Sequence, residues 1–172
     1  MSAAVNPNYM DSFEINKYRD HFQSYTNSFI RSDADPYVNK NYRLKQDHSL
    51  RVSENIKRIA SDLKLSQERT NIAEAVALYH DIGRFEQFKK YITFSDRDSE
   101  NHALLGIKVL KGLKILDQSR HKKLILSAIR FHNVKEIKER LKNTDPDIRF
   151  YSGMIRDADK LDIFTVLTSY YM

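Results

Sequence analysis

An all-α fold is the class this chain predicts, on three observations. Glycine and proline together number 4 + 3 = 7 in 172 residues, where average usage gives roughly 20. Sheets joined by tight turns consume both residues, so their scarcity points to helices and short polar connections. Apolar residues recur at three- and four-residue steps through most of the chain, the period of a helix that buries one face. No stretch alternates apolar and polar residues long enough to make a strand. A 41% apolar chain of this length is globular and about one domain in size.

The first pattern, Ile15, Tyr18, Phe22, Tyr25 and Phe29, predicts an amphipathic N-terminal helix over about residues 11–31. Ser32 to Tyr42, with Asp33, Asp35, Pro36 and Asn39, reads as the longest turn-like segment. It separates residues 1–31, a helix packing on the domain, from a single globular unit over 42–172. Leu44, His48, Val52, Ile56, Ile59 and Leu63 form the stripe of a second, long helix. Ser66 starts a third, with Ile72, Ala73, Val76, Ala77 and His80 on one face and Ile82-Gly83 as its end.

Past a loop and short helix around Phe85 to Tyr91, a helix from about Ser99 turns His102, Leu105, Gly106, Val109 and Leu113 inward. Another, from about Ser119, does the same with Leu124, Ile125, Ala128, Ile129 and His132. Asp145-Pro146 starts the last, because aspartate caps a helix and proline suits its first turn. Ile155, Asp159, Asp162, Ile163 and Val166 lie on that helix at helical spacing. Ile163 to Tyr171 carries no capping signal before Met172, so a further C-terminal segment contributing to the pocket is an expectation.

Zero cysteine removes disulfide scaffolds, thiolate metal sites and cysteine nucleophiles together. Met1 to Met10 shows no secretory pattern, and apolar runs such as Ala75 to Tyr79 are far short of a membrane span. The expected localisation is cytoplasmic. A net charge of +6 with scattered basic residues is a solvated surface that favours anionic substrates, and no basic stripe interleaved with aromatics indicates nucleic-acid binding.

Four of the six histidines fall where the core should be: His48, His80, His102 and His132. A fifth helix places Asp159 there. Burying an imidazole or carboxylate costs energy unless it is hydrogen-bonded or holds a metal. Any one of these alone reads as a core histidine bonded to a carbonyl. Helices packed around one core bring all five together, and that joint placement predicts a metal site. Imidazole suits zinc, iron, nickel, cobalt or manganese, and carboxylates recruit harder ions such as manganese or magnesium. Asp81 joins them at a helix end, where its two oxygens can span two ions. His21 and His121 are expected at the surface.

The series His48, His80-Asp81, Asp159 resembles the HD-domain superfamily of metal-dependent phosphohydrolases, an all-helical bundle with its metal site in the core. The stretches His80-Asp81-Ile82-Gly83-Arg84-Phe85-Glu86 and Arg156-Asp157-Ala158-Asp159-Lys160-Leu161-Asp162 carry the likeness, which covers about residues 44–165. Small stand-alone bacterial members are the nearest in flavour. His102 and His132, in Asn101-His102-Ala103-Leu104-Leu105-Gly106 and Arg130-Phe131-His132-Asn133, are similar to the subset that binds two metals.

The resemblance implies one or two divalent metal ions. His48, His80, Asp81 and Asp159 would hold the first, and Asp81, His102 and His132 the second, with Asp81 bridging and catalytic. Asp157 and Asp162 would stand behind the ligands or on the helix surface. Asn133 departs from relatives that carry a second histidine there, and Glu86 is not where certain family nucleotidases place an acid. The implied reaction is hydrolysis of a phosphoester or phosphoanhydride, a nucleotide first among them, by water that the metal activates.

Arg84, on the loop at the site mouth, and Lys160 are the candidate phosphate contacts. Phe85, Phe88, Tyr91 and Phe94 read either as a base-stacking group or as the packing of a loop onto the core. The same six ligands occur in the superfamily's di-iron oxygenases, and a non-catalytic nucleotide-sensing module is the third reading. A homodimer is left open.

Overall fold

Asp35 and Pro36 open the longest helix of the protein, whose computed structural model describes residues 12–135, 139 and 141–169. The Asp35 carboxylate accepts from the Tyr37 amide at 2.7 Å, and proline occupies the first turn, where its missing N–H costs nothing. This helix, α2 (Pro36–Asp62), follows α1 (Ser12–Asn27) and precedes α3 (Gln67–Tyr79), α4 (Gly83–Tyr91), α5 (His102–Leu113), α6 (Lys122–Phe131) and α7 (Pro146–Ser169). Ser66, Asn101 and Asp145 cap α3, α5 and α7, each side chain accepting a backbone N–H. No strand occurs among the described residues.

The structure moves several boundaries: α2 begins at Pro36, inside the segment expected as a turn, α1 ends at Asn27 rather than near 31, and α5 and α6 begin at His102 and Lys122, three residues later than expected. The expected extension of the last helix to Tyr171 and the reading of Met1 to Met10 lie outside the described residues.

α2 packs between α3 and α7; α1 covers α3, α4 lies on α5, and α6 on α7. One core gathers Phe22, Val52, Ile56, Val76, Leu110, Ile129 and Ile155, all at most 1% exposed. Each large aliphatic side chain buried there contributes about 1.5–3 kcal/mol. Phe85 and Phe88 build a second cluster with Tyr42, and the Phe85 ring stacks on Tyr42 at 6.0 Å. Of the two readings of the aromatic group, packing is therefore the one Phe85 and Phe88 follow. The Tyr91 hydroxyl is bonded to Glu100 instead.

Gly83 corrects a further expectation. It does not end α3 but starts α4, and no glycine has a positive φ. Its need is space: a Cβ there would collide with the His102 carbonyl oxygen and sit 2.5 Å from the Gly106 amide nitrogen. The missing side chain lets α4 lie directly on α5, which brings the His80–Ile82 turn next to His102.

His21 and His121 are part-buried rather than free at the surface. His21 Nδ1 lies 3.1 Å from the Tyr79 hydroxyl, and His121 Nε2 lies 3.2 Å from Glu68. Neither approaches the other four. No described helix is long and apolar enough to cross a membrane.

Candidate metal centre

The other four histidines and two aspartates converge where α2, α3, α5, α6 and α7 meet. Two groups emerge, His48, His80 and Asp159 in one and Asp81, His102 and His132 in the other, each with potential ligand atoms within 4.8 Å of one another. Helix ends supply four of the six, His102 being the first residue of α5. His80 is the C-cap of α3, His132 the C-cap of α6, and Asp81 sits in the turn between α3 and α4.

Every imidazole is held by its Nδ1. That of His80 donates to the Ala77 carbonyl at 2.7 Å, and that of His132 to the Ile129 carbonyl at 2.6 Å. His48 Nδ1 donates to Asp162 at 2.7 Å, and His102 Nδ1 to Asp96 at 2.7 Å. A neutral ring whose Nδ1 carries the proton leaves a lone pair on Nε2, and all four Nε2 atoms turn to the centre. His80 Nε2 is buried with no hydrogen-bond partner, while His102 Nε2 and His132 Nε2 lie only 3.0 Å apart. Lone pairs so placed repel unless positive charge lies between or beside them, so the donor set fits a divalent cation.

Asp81 divides between the two groups. Its Oδ2 lies 3.7 Å from His48 Nε2 and 4.0 Å from His80 Nε2, and its Oδ1 lies 3.3 Å from His102 Nε2 and 3.9 Å from His132 Nε2. Asp159 Oδ1 is 3.2 Å from His48 Nε2 and 3.9 Å from His80 Nε2.

The electrostatics follow from burial and neighbours. Burial opposes charge on Asp81, yet Lys45, the imidazoles of His80 and His102, and Arg84 outweigh it and hold the carboxyl well below its usual range. Burial and the neighbouring imidazoles His80 and His102 push His132 down to about 3. Burial also lowers His80. His48 goes the other way: its desolvation is outweighed by the hydrogen bond to Asp159 and the charge of Asp81.

Three residues around the site, Lys45, Arg51 and Asp96, are not among those the sequence points to. Lys45 Nζ lies 3.1 Å from Asp81 Oδ2. Arg51 grips Asp162 with Nε and Nη2, at 2.6 and 3.0 Å. Lys45, His48 and Arg51 stand three residues apart on α2, a spacing that makes neighbours of them but does not set these two cations apart from the chain's other basic residues. Asp96 lies in the α4–α5 connection with no periodicity to reveal it. It accepts from His102, from Arg84 at 2.8 Å and from Gln87 at 3.0 Å. Asp162, of its two expected places, takes the one behind the ligands: it is 2% exposed and orients His48. Asn133 Nδ2 reaches Asp96 at 3.4 Å.

Arg84 belongs to the first turn of α4, not to a loop. Its Nη1 donates to the Phe94 carbonyl, Asp96 and Gln87, and its Nε lies 3.4 Å from Asp81 Oδ1. It lines the cleft over the centre; Lys160 is exposed and does not. Asp157 is exposed too.

No curated protein and no solved structure matches the chain. The HD-domain family matches residues 46–163, a span that opens two residues before His48 and closes after Asp162. With that match over most of its length, and with the paired His80-Asp81 at the meeting point of its helices, this chain belongs to the HD-domain family.

Proposed function

We propose that the protein is a divalent-metal-dependent phosphohydrolase acting on a phosphoester or phosphoanhydride of a small molecule, nucleotides among them. HD domains are typically metal-dependent phosphohydrolases. The observation that carries the reading is Asp81, whose two oxygens face separate pairs of imidazole Nε2 atoms. His48, His80, Asp81 and Asp159 would hold one ion, and Asp81, His102 and His132 a second. A divalent ion bound there lowers the pKa of water toward neutrality and offsets charge on phosphoryl oxygens.

The chain's own groups set the rest. Asp162, Asp96 and the Ala77 and Ile129 carbonyls hold each imidazole in the tautomer that presents Nε2. Asp81 stays ionised across the working pH range, so it acts as a ligand and aims the attacking water rather than storing its proton. Lys45 and Arg84 flank Asp81 and provide the cationic contacts for the phosphate. Lys45 takes the part expected of Lys160, which stands away from the cleft. A P–O bond to water forms as the P–O bond to the leaving group breaks, and the departing oxygen takes up the proton that water loses.

Protein stripped by a chelator, then assayed on phosphomonoesters, phosphodiesters and nucleotides, is expected to be inactive until manganese, cobalt or nickel is restored. Full activity after stripping overturns the reading.

A further inference from the structure

Beyond the ligands, the cleft of about 380 Å³ changes character along its length. α2 and α7 run antiparallel. Asn55 reaches the Ala158 carbonyl, His48 meets Asp159 and Asp162, and further along Leu44 shares the cleft wall with Ile163, Val166 and Leu167. Leu44 precedes His48 by four residues, so the aliphatic wall begins about 6 Å from that imidazole along the helix.

Leu44, Ile163 and Leu167 are 51%, 46% and 50% exposed, a poor use of leucine and isoleucine unless something covers them. Ile163, Val166 and Leu167 stand at i, i+3 and i+4, on the face of α7 turned into the cleft. The exposed Leu161 lies on the far side of α7 from Ile163, and Phe164, about a quarter-turn round from Ile163, does not line the cleft. Among the described residues no phenylalanine or tyrosine side chain lines the cleft. Charge at the centre and hydrocarbon one turn out match a ligand with one anionic end and one apolar end.

We propose that Leu44, Ile163, Val166 and Leu167 form the leaving-group subsite, and that it takes an apolar aryl or alkyl group esterified to phosphate. The inference rests on the phosphohydrolase reading of the adjacent centre. Recognition by hydrocarbon contact does not read the hydrogen-bonding edge of a base. Nucleotides are accordingly accepted without base preference and used less well than an aryl ester.

The test is calorimetric titration of the metal-loaded protein with phenylphosphonate and methylphosphonate, which share the anionic group and resist hydrolysis. Phenylphosphonate is expected to bind about 10-fold more tightly, with a negative heat-capacity change. Leu44→Gln and Ile163→Gln, both exposed substitutions, should reduce that preference to about twofold. They should leave methylphosphonate affinity and metal content unchanged. Equal affinity for the two probes, or binding of neither, overturns the proposal. So does sedimentation showing a dimer that Leu44→Gln dissociates. Phenyl phosphate, methyl phosphate and a nucleotide are assayed in parallel. An apolar preference in binding with no ester turned over overturns the phosphohydrolase reading and leaves the subsite standing. Turnover of the three at equal kcat/KM overturns the subsite alone.

Discussion

In one cluster His48 leans on Asp162 and His80 on the Ala77 carbonyl; in the other His102 leans on Asp96 and His132 on the Ile129 carbonyl. Each pairs a carboxylate-held ring with a ring held by the carbonyl three residues earlier. They differ in what holds the carboxylate. Asp162 belongs to α7 and is gripped by Arg51 of α2, so the first cluster is a product of helix packing. Asp96 belongs to a connection and shares its oxygens among His102, Arg84 and Gln87, all within 15 residues of it in sequence. One geometry is thus reached by long-range packing and by a local polar network, and the two should fail separately.

Asp81 is the exception to that separation. Asp81→Ala removes the group shared by both clusters and should lower turnover by at least about 10³-fold while depleting both ions. His80→Ala should cost a similar factor. His102→Ala and His132→Ala are expected to deplete one ion of the two. Metal analysis of each purified variant beside its kcat/KM decides this, and an Asp81→Ala protein that keeps one full ion breaks the bridging assignment.

Gly83→Ala probes the packing beneath the second cluster. The added methyl has backbone, not flexible side chain, in its way at His102 and Gly106, so α4 and α5 must separate. The expected cost is about 2–4 kcal/mol, read from urea unfolding. His102 moves with α5, so the second ion should be weakened more than the first.

Asp96→Ala and Asp162→Ala test the comparison directly. Loss of a partner behind a ligating histidine typically weakens metal binding about 10–100-fold. Competition with a chromogenic chelator should show one ion weakened by Asp96→Ala and the other by Asp162→Ala. Equal weakening of both ions by either variant would dissolve the distinction.

The same contrast separates what could be read in the sequence from what could not. His48, His80, His102, His132 and Asp159 were legible because a titratable group on an apolar helical stripe violates the burial pattern. Arg51 and Lys45 followed the helical period from His48 but lay among so many solvated cations that spacing alone did not single them out. Asp96 left no trace, because a connection has no period and its partners His102, Arg84 and Gln87 meet only once α4 lies on α5.

Boundaries went the same way. Asp145-Pro146 predicts a helix start, whereas the polar residues around the identical Asp35-Pro36 predict a turn; the structure starts a helix at both. The sequence places Gly83 at a helix end, whereas its role is close approach, which only the neighbouring helix defines.

A finer difference between the clusters lies in their response to acid when no metal is bound. In the second, His132 is held down to about 3 against 6.5 in the unfolded chain. Between those values the unfolded state binds a proton that the folded state refuses, so stability falls as pH drops below about 6.5. In the first, His80 is also lowered, but His48 is raised, and its contribution is present below 6.5 and fades as pH rises. The two act in opposite directions. Asp81, Asp96, Asp159 and Asp162 are all lowered, so they withdraw stability only as pH falls below about 3.8. In the second cluster the lowered His132 by itself withdraws about 1–2 kcal/mol by pH 5, while in the first His48 opposes the loss from His80. Urea midpoints of chelator-treated protein should fall between about pH 6.5 and 4, less steeply in His132→Gln and more steeply in His48→Gln. Identical slopes in the two variants would mean that the clusters share one titration and that the separation drawn from Asp96 and Asp162 does not extend to their protons.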